Sequence, residues 1–152
     1  MKLKIPFKDL KKHYDRILVR KYKDMEESFE SSIKNNPIIY KVYIKDYVDF
    51  EEGLTVINPG KVGEEFFMTK GHKHNKIAPE AYIPVSGKGI LLISINGKEA
   101  AHELKKGNFY HIAGNSGHRL INTGGKPLEV ITIYGKTAGH DYKFKFKRRI
   151  KR

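Results

Sequence analysis

The 152-residue sequence predicts a mainly β fold, an antiparallel sandwich or barrel preceded by a short N-terminal helical segment. Three observations carry that expectation. From Pro37 onward the chain breaks into short runs rich in Val, Ile, Tyr, Phe and Thr. Each run is bounded by turn residues that include a glycine able to take positive φ. Asn96–Gly97, set between two such runs, is the dipeptide of a type I′ hairpin.

Taken in order, residues 8–36 hold the helical material. In "KDLKKHYDRILVRKYKDM" apolar side chains fall at Leu10, Tyr14, Ile17, Leu18 and Met25. Asp24 can cap the following "DMEESFESSIKNN", with Glu26 and Glu27 in its first turn, so one or two short helices are expected. Strands are then expected at 38–44, 54–58, 64–74, 80–85, 89–95, 100–104, 109–113, 118–122 and 128–134, with "NPGKVG", "SGKG", "NGK", "KKGN", "GNSG" and "TGGKP" among the turns. Many short strands with frequent turns suit a sandwich or barrel. The final "KFKFK", 143–147, alternates like an exposed edge strand whose lysines discourage pairing.

Composition narrows the function. A chain of this length can bury a core without staples. The absence of cysteine excludes disulfides, thiolate metal sites and cysteine nucleophiles, so any metal must sit on nitrogen and oxygen ligands. The apolar runs are too short to span a membrane and "MKLKIPFKDLKK" lacks the apolar stretch of a signal peptide, so a soluble, cytoplasmic protein is expected. The formal net charge is +13. It sits at the ends: residues 1–25 carry 9 Lys and Arg against 3 Asp and Glu, residues 143–152 carry 7 against none, and residues 51–142 are nearly balanced at 11 against 9. A near-neutral middle argues against a nucleic-acid surface spread over the fold, and the basic ends read as a solvated surface that draws in anionic metabolites.

The chemistry-bearing stretch is "TKGHKHNKIAPEAY", 69–82. Residues two apart in a strand point the same way and lie roughly 6–7 Å apart, so His72 and His74 can aim at one point. Glu80 can return to it past a turn at Pro79, and His118 opens a later strand after "GNSG". Three imidazoles and a carboxylate suit iron(II), manganese, nickel, cobalt or zinc with open positions for a substrate. Taken alone, "HKH" in a basic chain reads equally well as a pair of surface histidines. His13, His102 and His111 have no motif around them and read as surface or structural residues.

The surroundings favour the metal. Glu80 and Gly87, with six residues between them, and then Gly107, His118 and Asn122 resemble the two signature blocks of the cupin superfamily, a small β-barrel with its metal inside. "PGKVGEEFFMTKGHKH", "PEAY", "SGKG", "GHRLINTGGKPLEV" and "AGHDY" then resemble, in order and spacing, the archaeal cupin-type glucose-6-phosphate isomerases, from about Arg20 to Tyr142. That resemblance implies a cupin (double-stranded β-helix, jelly-roll) barrel as a single domain over 1–142, with 143–152 as a basic tail. It implies an isomerase interconverting glucose 6-phosphate and fructose 6-phosphate, with one divalent metal per subunit on His72, His74, Glu80 and His118, iron(II) favoured. Glu80 is then also the candidate base, Thr55, Thr69, Gly71 and Tyr82 hold the phosphate, and Tyr134 and His140 stand at the sugar's reactive end. The expected partners are a sugar phosphate and a second copy of the chain, with neither membrane nor nucleic acid. Two rivals share the site: a metal-dependent cupin oxygenase or decarboxylase, and a non-catalytic sugar-phosphate binding protein. One difficulty is geometric, because a regular strand sets Thr69 and Gly71 on one side of the pleat and His72 on the other unless the glycine breaks the alternation.

Overall fold

The computed structural model describes residues 9–151. Its strands, in chain order, are β1 (Arg16–Lys21), β2 (Ile38–Asp46), β3 (Phe50–Ile57), β4 (Lys61–Val62), β5 (Glu65–Phe66), β6 (His72–Lys73), β7 (Glu80–Ser86), β8 (Gly89–Ile95), β9 (Lys98–Glu103), β10 (Tyr110–Ile112), β11 (Gly117–Asn122) and β12 (Leu128–Gly135). Six pair in the order β1-β2-β3-β12-β7-β10, four in the order β6-β11-β8-β9, and β4 with β5. Every pairing is antiparallel. The two larger sheets share one apolar core, with Ile57 and Leu128 from the first meeting Leu91, Leu92 and Leu120 from the second.

Alternation within the central strands positions the site. On β12 one side presents Leu128, Val130, Thr132 and Tyr134, the other Glu129, Ile131 and Ile133. The first of these rows is apolar at its start and polar at its end. Register extends that change to the neighbours: Val130 stands opposite Thr55, Thr132 opposite Tyr82 and Gly53, and Tyr134 opposite Glu51 and Glu80. One end of the barrel is therefore filled with hydrocarbon and the other is lined by hydroxyls, carboxylates and imidazoles.

Most expected strands are present, and the Asn96–Gly97 turn between β8 and β9 has φ of 50° and 77°, both positive as type I′ demands. The N-terminal reading needs correction. Arg16–Lys21, expected as helix, is strand β1, with Leu18 opposite Val42. Its Ile17 and Val19 are β-branched, and the open edge of β2 supplies backbone partners that local spacing cannot reveal. The helical segment proper consists of two single 3-10 turns, Tyr22–Asp24 and Glu26–Ser28. Asp24 closes the first of them by accepting the Lys21 backbone N–H at 2.8 Å and does not cap the second. The 64–74 run is likewise split into β5 and β6, because Gly71 at φ 76° turns the chain between them.

The "KFKFK" tail forms no strand. Phe146 is buried and Phe144 partly so, both in the main core cluster, and a Cβ on Gly117 would lie 2.2 Å from the Phe144 ring. Glu99 accepts the backbone N–H groups of Lys147 and Arg148 at 2.8 and 2.6 Å, which takes up the polar groups a strand partner would have used. No described helix is long and apolar enough to cross a membrane.

Candidate metal centre

His72 and His118 face each other across the β6–β11 ladder, Glu80 opens β7, and His74 follows β6 by one residue. Their ligand atoms all lie within 4.8 Å of one another. Glu80 Oε2 is 2.7 Å from His118 Nε2, 3.3 Å from His74 Nε2 and 3.9 Å from His72 Nε2. The Nε2 atoms of His72 and His118 are 3.1 Å apart. Two nitrogens bound at about 2.1 Å to one ion and a right angle apart would be separated by about 3 Å, so the spacing is that of ligands sharing a centre.

Hydrogen bonding fixes which ring atoms face inward. A carbonyl only accepts, so His74 Nδ1 donates to Ala78 O at 2.7 Å and His118 Nδ1 to Ser116 O at 3.3 Å. Each ring then turns its Nε2 toward the Glu80 carboxylate, and among the described residues His74 Nε2 and Glu80 Oε2 have no hydrogen-bond partner despite their burial. Ring nitrogens and a carboxylate oxygen converging on one point suit a cation, and the outer carbonyls are the supports that metal-bound histidines use. Burial alone would raise the Glu80 carboxyl, but the adjacent His118 and His74 imidazoles outweigh it and hold it down at about 2. Burial, reinforced by the neighbouring His118, pushes His72 down to about 2, which keeps that ring neutral and able to ligate. The donor set fits a borderline divalent metal.

Above this cluster opens a cavity of about 270 Å³. Thr55, Thr69, Gly71 and Tyr82 all line it, as do Tyr134 and His140. The alternation difficulty disappears at Gly71: its positive φ turns the backbone so that Thr69, Gly71 and His72 border the same space. Thr69 Oγ1 accepts the Leu120 N–H at 3.1 Å, which leaves its hydroxyl proton free to donate into the cavity. His140 stands edge-on to His72 with ring centroids 4.4 Å apart, and its pKa is lowered by burial and then by His74. Burial first and the Glu51 carboxylate second push the Tyr134 phenol up, so it stays a donor. His13, His102 and His111 are exposed and away from the cluster.

Sequence reasoning passed over Arg16, Glu51, Lys136 and Tyr142, which also line the cavity. Arg16 forms an ion pair with Glu51. Tyr142 lies in the quoted "AGHDY" and so had a signal; Arg16 and Glu51 come together through strand register, and Lys136 follows β12 by one residue.

A family profile described as glucose-6-phosphate isomerase (GPI) matches residues 7–151. The chain belongs to the glucose-6-phosphate isomerase family. Among relatives in that isomerase family, a glucose-6-phosphate isomerase of Thermococcus gammatolerans is 39% identical over 137 residues, 82% of this chain and 72% of the relative. The barrel is also similar to solved cupins. An oxalate decarboxylase of Lactobacillus farciminis, determined as its formate complex, superposes with a TM-score of 0.56 at 19% identity over 77% of this chain and 33% of that one. An oxalate oxidase gives 0.57 at 13% identity over 72% of this chain and 57% of that one. Identities this low speak for the fold alone, and the fold is the cupin barrel.

Proposed function

We propose that this chain interconverts glucose 6-phosphate and fructose 6-phosphate with one divalent metal, iron(II) first, held by His72, His74, Glu80 and His118. The observation that carries the reading is the arrangement of the cavity: the four converging ligand atoms lie at one part of a space whose wall also holds Thr55, Thr69, Gly71 and Tyr82. Hydroxyls and a backbone N–H beside a left-handed glycine cradle a phosphoryl group without a long cation. The sugar's carbonyl end then faces the imidazoles. A bound metal supplies Lewis acidity toward the C1 and C2 oxygens. Glu80, ionised and with Oε2 unpartnered, is the proposed base for moving the proton between C1 and C2. His140, held neutral, can accept or donate the ring-opening proton, and Tyr134 donates a hydrogen bond to a sugar oxygen. The oxygenase or decarboxylase reading shares the barrel and the four ligands but gives no use to the hydroxyls of Thr55, Thr69 and Tyr82.

The same reading takes residues 1–142 as one domain with 143–152 as its basic tail, and the protein as a cytoplasmic homodimer. Its test is a coupled assay. Metal-stripped protein receives fructose 6-phosphate, and NADP reduction by glucose-6-phosphate dehydrogenase is followed as iron(II), manganese, nickel, cobalt or zinc is restored singly. Turnover should return with at least one metal, and Glu80→Gln should lower it by ~10²-fold or more while the circular dichroism spectrum is kept. Wild-type protein that binds a metal stoichiometrically and turns over with none of them would overturn the assignment.

A further inference from the structure

Gly71 is the partition between the main cavity and a second, smaller one. It lines the first, and a Cβ on it would lie 2.8 Å from the Phe146 ring and 3.0 Å from Arg119 Nε, both of which border the second. This second pocket, about 70 Å³ in volume, is walled by four cationic side chains, Lys70, Arg119, Lys145 and Arg149, against one carboxylate, Glu27. Two of the cations are matched: Lys70 by Glu27 and Arg149 by Glu65, each at 3.0 Å. Arg119 is not. It is 6% exposed, its Nη2 donates to the Lys70 carbonyl at 2.6 Å, its guanidinium lies 4.7 Å from the Phe146 ring centroid, and Nε has no partner among the described residues. No described carboxylate forms an ion pair with it. Phe146 and a carbonyl solvate part of a guanidinium but do not neutralise it, and a buried cation without a counter-charge is costly.

We propose that this pocket binds a phosphate-class oxyanion, free or as the terminal phosphoryl group of a small metabolite, at a site separate from the isomerase cavity. The volume equals that of about two waters at ~30 Å³ each, room for one tetrahedral oxyanion. A guanidinium offers such an ion a planar fork of donors, and the exposed Lys145 adds a second unmatched charge at the mouth. The walls come from four stretches: the 3-10 turn at Ser28, Lys70 just ahead of β6, β11 through Arg119, and the tail from Tyr142 to Arg149. An anion here therefore ties the tail to the barrel. Through the Arg119–Lys70 hydrogen bond it also braces the segment that carries Thr69, Gly71 and His72. The inference does not depend on the isomerase assignment.

The experiment is equilibrium dialysis of the full chain against labelled inorganic phosphate at fixed ionic strength. It compares wild type, Arg119→Met, Lys145→Glu and a Thr55→Val/Thr69→Val control that disables the main cavity. The control should keep one phosphate site, whereas Arg119→Met should lose it and Lys145→Glu, a surface change that spares the core, should weaken it at least tenfold. Glycerol 3-phosphate is the second arm. Displacement of the label from the control by glycerol 3-phosphate assigns the site to phosphoryl groups generally, and retention of the label assigns it to the free ion. Equal phosphate stoichiometry and affinity in the control, in wild type and in folded Lys145→Glu, or no binding by the control, would overturn the proposal.

Discussion

Gly71 shows how much one residue settles in this molecule. Its φ of 76° is left-handed, and the space a Cβ would fill is taken by Phe146 and Arg119. Both facts exclude a side chain, and both serve the site, since the turn brings Thr69 and His72 to one cavity and the close approach seats the tail behind them. Left-handed backbone costs a non-glycine residue about 1–2 kcal/mol before any clash is counted. Gly71→Ala should therefore lower unfolding stability by about 2 kcal/mol or more in urea, because the Phe146 ring must also move. On the proposed function it should also raise the KM for fructose 6-phosphate, because Thr69 shifts away from the cavity. A variant with unchanged urea midpoint and KM would show that neither the turn nor the contact matters. From sequence the glycine could be flagged but not placed: pleat arithmetic put Thr69 and His72 on opposite faces, and only a positive φ reverses that.

At the scale of elements, the parts that were legible in the sequence are those whose cause is local. Runs of β-branched and aromatic residues gave β2, β3, β7, β8, β11 and β12, and Asn96–Gly97 gave its hairpin. His72, His74 and Glu80 are close in the chain, so their convergence could be argued from spacing, and His118 entered through a second motif. What stayed hidden depends on distant partners. The apolar spacing of Leu10, Tyr14, Ile17 and Leu18 fits a helix until β2 offers an edge, and Arg16 meets Glu51 only because β1, β2 and β3 stack in register. The tail is the clearest case: alternation in "KFKFK" was visible, but the flat ground at Gly71 and Gly117 that receives its two rings lies tens of residues away. The same contacts make it structural. Arg149 pairs with Glu65, which is 3% exposed and also accepts the Glu30 N–H at 2.7 Å. Removing residues 143–152 strips that carboxylate of its cation and uncovers the apolar ground, and each change alone has a cost of ~3–5 kcal/mol in comparable cases. Arg149 keeps 29% side-chain exposure, so the ion-pair share falls at the lower end. Loss of at least about 3 kcal/mol in guanidinium unfolding is expected, with weaker metal retention from the loosened β6. A truncated chain with the wild-type midpoint would make the tail an ornament.

The whole molecule has one polar mouth and one apolar back. On the six-stranded sheet the inner side ends in the cavity, whereas the other side shows Leu54 and Ile131, covered by Leu10, beside partly buried Tyr43, Val56, Ile83 and Ile133. Farther along that side Tyr14, Ile17 and Val19 are 41, 39 and 38% exposed. Among the described residues β1 is also the edge of its sheet, with no further strand on its outer side. A net charge of +13 opposes association of copies of the chain, and the apolar contact of Tyr14, Ile17 and Val19 is what must outweigh it. Burial of the patch and pairing of the edge are both satisfied by a second copy related by a two-fold axis, the commonest closed arrangement. Sedimentation equilibrium at micromolar concentration should then return twice the 17.5 kDa chain mass. Ile17→Lys combined with Val19→Lys places two like charges on the patch of each copy, against their counterparts across the axis, and should shift the mass to that of one chain. The inner face is untouched by these changes, so the monomer should still bind metal. A wild type that sediments as one chain, or a double variant that remains dimeric, would remove this face from the interface.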